Sequence, residues 1–231
     1  MKNSKVIDNV KSHIKSNLFL YIMTFLFLSI GIVIGIYTIK YMGQAEKDNL
    51  IGGLINYSQD MVINSVDKKH ILFKAIKNNL SIILIIWFLG LTMLGTPLIL
   101  IINLIKGFTI GFTSSLVING LGSKGILLNL LVVFPQNIIY IPCIIVSSVL
   151  AIEFSLALVR NNSIKLLNKK SVVIQLTTYS TLFILLIGFM FLGFIIEGYM
   201  APSMLKLIVN SLGSALIWIT QEIKLVLWFY C

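Results

Sequence analysis

Five or six long apolar stretches, separated by short polar runs, take up most of this chain and fix its solvent as lipid. The uncharged ones include Leu18–Ile39, Leu80–Ile105, Ile138–Ile152, Val172–Ile196 and Met204–Ile219, the last interrupted only by Lys206. About 20 apolar residues at 1.5 Å each match a hydrocarbon core of about 30 Å. Only 11% of the residues are charged and 58% are hydrophobic, whereas a soluble domain carries about 25% charged. An all-α, polytopic membrane helix bundle follows, with five to six transmembrane helices in one membrane domain over residues 1–231. The first apolar stretch reads as a retained helix: it is long for a signal h-region, lacks a small-x-small cleavage site and is followed by Lys40.

Charge density in short loops sets sidedness. Residues 1–17 carry Lys2, Lys5, Lys11 and Lys15 against Asp8, and residues 160–170 carry Arg160, Lys165, Lys169 and Lys170 with no acid. The positive-inside rule puts both in the cytoplasm, so an even number of crossings lies between them. Leu18–Ile39 and Leu80–Ile105 supply two. Residues 107–159 then cross twice: a short helix over Gly107–Leu121, the turn Gly122-Ser123-Lys124-Gly125, and a returning helix broken near Pro135 and Pro142. Val172–Ile196 and Met204–Ile219 complete six crossings, or five if the last segment lies in the interface. Basic residues divide only 10 to 8 between the two sides. The formal charge of +10 suits lysines facing anionic lipid head groups, and no nucleic acid is expected.

Residues 40–79 form the one sizeable extracytoplasmic loop, and its apolar spacing suits one or two amphipathic helices. They either lie on the bilayer or pack across the tops of the spans. Asn56, Asp60, Asp67, Lys68, Lys69, Lys74 and Lys77 are the partner-binding candidates there, with Glu197 in the turn before Pro202. Asn78 and Asn79 are expected to cap the second span.

Chemistry is sparse. The only histidines are His13 and His70, both in polar flanks, and no HExxH, GxSxG or P-loop occurs. Cys143 and Cys231 sit in apolar sequence without a CxxC or Cys/His cluster. The composition therefore speaks against an enzyme, a metal site or a cofactor. A transporter or permease subunit is the alternative from another class, using Asn119, Asn129, Gln136, Asn137 or Glu153 near a broken helix. Interhelical hydrogen bonding by Asn and Gln, and a structural ion pair for Glu153, are the plainer roles. Two GxxxG pairs, Gly31/Gly35 and Gly107/Gly111, flatten helix faces for close approach, within the chain or across a homodimer.

Four stretches in order look familiar: Asn78-Asn79-Leu80; Lys106-Gly107-Phe108-Thr109-Ile110-Gly111-Phe112; Phe134-Pro135-Gln136-Asn137-Ile138-Ile139-Tyr140-Ile141-Pro142; and Glu197-Gly198-Tyr199-Met200-Ala201-Pro202. Together they resemble the stage II sporulation protein M family of endospore-forming bacteria, over nearly the whole chain. The wider family often carries a His-Gly pair followed by Glu where this chain has Gln136-Asn137 and Tyr140. The resemblance implies a non-enzymatic scaffold in the mother-cell septal and engulfing membrane. Such a scaffold anchors peptidoglycan hydrolases resembling stage II sporulation proteins D and P for wall remodelling during engulfment.

Overall fold

A computed structural model describes residues 11–63, 68–162 and 173–195, and among them there is no strand. The last apolar segment, Met204–Ile219, and with it Glu197, Pro202 and Cys231, lies outside the described residues, as does Asp67. Besides a short helical stretch at residues 11–16, six long helices are described: α1 (Leu18–Tyr41), α2 (Gln44–Ile63), α3 (Lys68–Gly90), α4 (Gly95–Leu128), α5 (Phe134–Asn162) and α6 (Val173–Ile195). A π-helical turn, Asn129–Val133, joins α4 to α5. Four of them are long and apolar enough to cross a membrane: α1, Gly95–Gly120 of α4, Phe134–Arg160 of α5, and α6. The bundle is thus an all-helical membrane fold, with a different division of spans from the one expected.

The difference starts inside Leu80–Ile105, which is not one span. The chain reverses at residues 91–94, where Leu91 N–H donates to Phe88 O at 3.1 Å and Thr92 N–H to Leu89 O at 2.9 Å. Ser155 Oγ locks the turn from α5, donating to Thr92 O at 2.7 Å. Pro97 is the physical reason a new helix can start here. In the first turn of a helix its missing N–H costs nothing, because those amides have no intrahelical acceptor. In consequence Gly107–Leu121 is not a short helix of its own but the second half of a full-length span beginning at Gly95.

At its far end α4 is turned back by Gly122, whose φ of 54° lies in the left-handed region that glycine occupies without strain. The returning segment folds onto α4: a Cβ on Gly125 would stand 3.0 Å from Ile118 Cα. Ser114 Oγ donates to Asn129 Oδ1 at 3.1 Å across the same hairpin. The expected break on the way back takes the form of the π turn immediately before Pro135. Pro142, by contrast, sits within a continuous α5.

Helix α1 packs along α4 through the two glycine pairs. A Cβ on Gly31 would meet Phe108 N at 2.8 Å, and one on Gly107 would meet the Leu28 carbonyl carbon at 2.9 Å. One on Gly35 would meet Phe112 N at 2.6 Å, and one on Gly111 would meet Ile32 Cα at 2.9 Å. Residue numbers rise together on both helices, so α1 and α4 run parallel. The two small-residue faces close on each other within one chain, which is backbone-to-backbone packing of the kind small residues permit in lipid. Away from its contacts with α4 and the core, α1 exposes apolar side chains such as Phe19, Phe25 and Val33, as a lipid-facing surface should.

The core lies among α3, α4, α5 and α6, where Ile83, Ile86, Ile99, Ile144, Ile152 and Met190 are fully buried or nearly so. Helix α6 runs antiparallel to α5: Tyr179 stacks on Phe154 with centroids 4.4 Å apart, and Phe194 lies 5.7 Å from Tyr140. Tyr179 Oη donates to Trp87 O on α3 at 2.9 Å. His13, just before α1, reaches Glu153 near the end of α5, with Nδ1 3.9 Å from Oε2. The N-terminal segment and the end of α5 therefore share one end of the bundle, as the even number of crossings requires. At the opposite end α2 packs on α4, its Ile51 side chain occupying the space above Gly120.

Candidate functional site: a polar cluster at mid-membrane

Two independent rulers fix depth in the bundle. Lys106 sits near the middle of the span Gly95–Gly120. Leu28, near the middle of α1, lies against Gly107. The level of Lys106 is therefore the bilayer midplane to within about a helical turn. An ammonium group there is costly and requires a partner. Lys106 Nζ donates to Asn79 Oδ1 at 3.0 Å, and Asn79 is 5% exposed.

That contact corrects the expected role of Asn79. Helix α3 begins at Lys68, so Asn78 and Asn79 lie in its interior and cap nothing. Asn79 instead presents an acceptor to a lysine on the neighbouring helix.

One turn below, Asn103 is fully buried and donates from Nδ2 to Ser148 Oγ and to Ile99 O, both at 2.8 Å. Its Oδ1 has no hydrogen-bond partner among the described residues. Ser147, also fully buried, satisfies its hydroxyl on the Cys143 carbonyl at 2.6 Å. The arrangement ties α3 to α4 and α4 to α5 through polar contacts that lipid cannot compete for. Neither Asn103 nor Ser148 stands out in the sequence, where Lys106 marks the end of the apolar stretch Leu80–Ile105. The available signal was Gly95-Thr96-Pro97, which starts a helix and moves Lys106 to its centre.

The other anticipated residues are spread along the bundle. Gln136 and Asn137 lie just past the π turn, where the ladder is interrupted. Asn137 Nδ2 donates to the Val133 carbonyl at 2.7 Å, while Gln136 Oε1 is buried without a partner among the described residues. Asn119 turns back on its own helix, to Ser115 O at 2.7 Å. Glu153 is at the membrane end beside His13, away from the midplane cluster. Asn56 and Asp60 are on α2, and Lys68, Lys69, Lys74 and Lys77 are on the first half of α3. An apolar groove of about 300 Å³ between α4 and the π turn is lined by Ile110, Ser114, Asn129, Val133, Asn137 and Ile141, among others.

Chemically, the cluster offers one cation, amides and hydroxyls. Among the described residues no group of His, Cys, Asp and Glu could hold a metal ion. His13, the one described histidine outside α3, is at the end of the bundle. The site is equipped to hold helices in register and to carry a charge at depth.

No curated protein and no solved structure matches this chain. A family model does, that of stage II sporulation protein M, over residues 24–202. The match runs from α1 through the mid-membrane cluster and beyond α6. Members of that family are sporulation-related membrane proteins and are generally non-catalytic. With more than half of its length matched, the chain belongs to the stage II sporulation protein M family.

Proposed function

We propose that this protein is a non-enzymatic scaffold of the sporulating cell's membrane. It anchors peptidoglycan hydrolases, resembling stage II sporulation proteins D and P, at the septum where wall is remodelled for engulfment. The family match over residues 24–202 carries this reading. The bundle supports it with two features a membrane anchor needs. The spans are tied by glycine packing and midplane hydrogen bonds, giving a rigid base. The end opposite His13 carries α2 and the lysine-bearing start of α3, a helical surface on the side that the positive-inside rule assigns to the exterior.

The test is co-purification from sporulating cells of the solubilised parent chain and of a Lys68→Glu, Lys69→Glu variant expressed at equal level. Peptidoglycan hydrolases should come down with the parent and be lost with the variant. Recovery with both moves the docking surface away from the start of α3. Recovery with neither removes the scaffold function.

A further inference from the structure

Helix α3 has the dimensions of a span but the chemistry of half a span. Its apolar part is Asn79–Gly90, about 18 Å at 1.5 Å per residue. Because Asn79 is level with Lys106, this part fills only the half of the bilayer nearer the 91–94 turn. By the same ruler the other half of α3 carries His70, Lys74 and Lys77 through the remaining hydrocarbon and reaches its outer edge at Lys68 and Lys69. One face of the helix is occupied: Asn79, Ile83, Ile86 and Gly90 are buried against α4, α5 and α6. Among the described residues nothing packs on the opposite face. Lys77, Ser81, Leu84 and Phe88, at i, i+4, i+7 and i+11, are all exposed. Among the described residues nothing bonds to the Lys77 ammonium.

Depth decides what can cover this face. Lys77 lies two residues above Asn79, about 3 Å beyond the midplane. Helical side chains lean toward the helix N-terminus, here the outer end, which gives its ammonium roughly 6 Å more. That leaves it about 6 Å short of the edge of a hydrocarbon core about 15 Å deep on each side. A lipid phosphate reaches that depth only by thinning its leaflet locally, at a cost in free energy. A carboxylate on a membrane-spanning helix can sit at any depth.

We propose that the outward face of α3 is a docking surface for a transmembrane helix of another protein. That helix is apolar in the half beside Leu84 and Phe88, and it bears an Asp or Glu in the outer half that pairs with Lys77. The inference concerns the surface and the chemistry of its partner, not the partner's activity. A captured acidic helix that belongs to no wall hydrolase would leave it standing while counting against the proposed function.

The test uses the full-length chain in sporulating cells, with a photo-crosslinking residue at Leu84 and, as a control, at the lipid-exposed Phe25 of α1. Irradiation should give a protein adduct from position 84 and none from 25. Peptide mapping should place the adduct in a membrane-spanning segment with a carboxylate in its outer half. Lys77→Glu and Lys77→Gln should each cut adduct yield at least tenfold at equal expression, Lys77→Arg should retain it, and Lys acid-swapped into the partner should restore it with Lys77→Glu. Lipid adducts alone, no adduct, a partner without that carboxylate, or a yield indifferent to Lys77 would each overturn the proposal.

Discussion

Replacing Gly107 by alanine adds one methyl group where α1 leaves no room for it. The new Cβ would stand 2.9 Å from the Leu28 carbonyl carbon and 3.1 Å from Ile32 N, both backbone atoms that cannot rotate away. Relief requires α1 and α4 to part by roughly 1 Å, and a gap of that size forfeits a quarter to a half of each contact's attraction. Overpacking of this kind costs about 1–3 kcal/mol. Against it stands the gain of up to about 1 kcal/mol from exchanging a helical glycine for alanine. Gly188, in the middle of α6, isolates the clash. It is exposed and a Cβ there meets nothing within 4 Å, so Gly188→Ala keeps the propensity gain without the collision. The difference between the two variants should be about 1–3 kcal/mol, a separation of roughly 2–12 °C in unfolding midpoint for a chain of this size. Thermal unfolding of both purified variants in one detergent measures it. Equal midpoints would show that α1 does not pack on α4 through Gly107.

Three further outcomes follow from the same contacts. A double-mutant cycle on Asn103→Ala and Ser148→Ala should give a coupling of about 0.6–2 kcal/mol in unfolding free energy, the range of interhelical hydrogen bonds in lipid; additive effects would mean the 2.8 Å bond contributes nothing. Asn79→Leu removes an acceptor from a midplane ammonium and should lower steady-state protein level, whereas Lys106→Met combined with it should recover much of the loss, since an apolar pair needs no acceptor; quantitative immunoblotting reads both. In a Cys143→Ser, Cys231→Ser background, a membrane-impermeant thiol reagent added outside should label Gly43→Cys, in the turn after α1, and leave Ser16→Cys unlabelled until the membrane is opened; the reverse pattern would invert the bundle.

Much of the fold was legible because lipid is an unforgiving solvent. Leu18–Ile39 and Val172–Ile196 correspond closely to α1 and α6, since each is a run of uncharged residues of span length with polar flanks. The Gly122 turn was legible as well, because glycine and serine beside Lys124 interrupt an otherwise apolar region. The misdivision of Leu80–Ile105 has a specific cause. Its composition is uniform across residues 91–94, and a tight turn between two buried helix ends leaves no charge to mark it. Gly95-Thr96-Pro97 is the local sign of a helix start there, and it places Lys106 at the centre of the membrane rather than at its rim. The glycine pairs gave a face but no address: GxxxG looks the same whether the opposing backbone belongs to α4 or to a second copy. Asn103 with Ser148, separated by 45 positions, depends on how helices are set against each other, which no local pattern encodes.

The most direct measurement of the scaffold account is the position of a fluorescently tagged wall hydrolase in sporulating cells that lack this chain. The account predicts that the hydrolase loses its septal focus and spreads along the membrane, and that the parent chain expressed in trans restores the focus. A hydrolase that stays at the septum in the absence of this protein would contradict it.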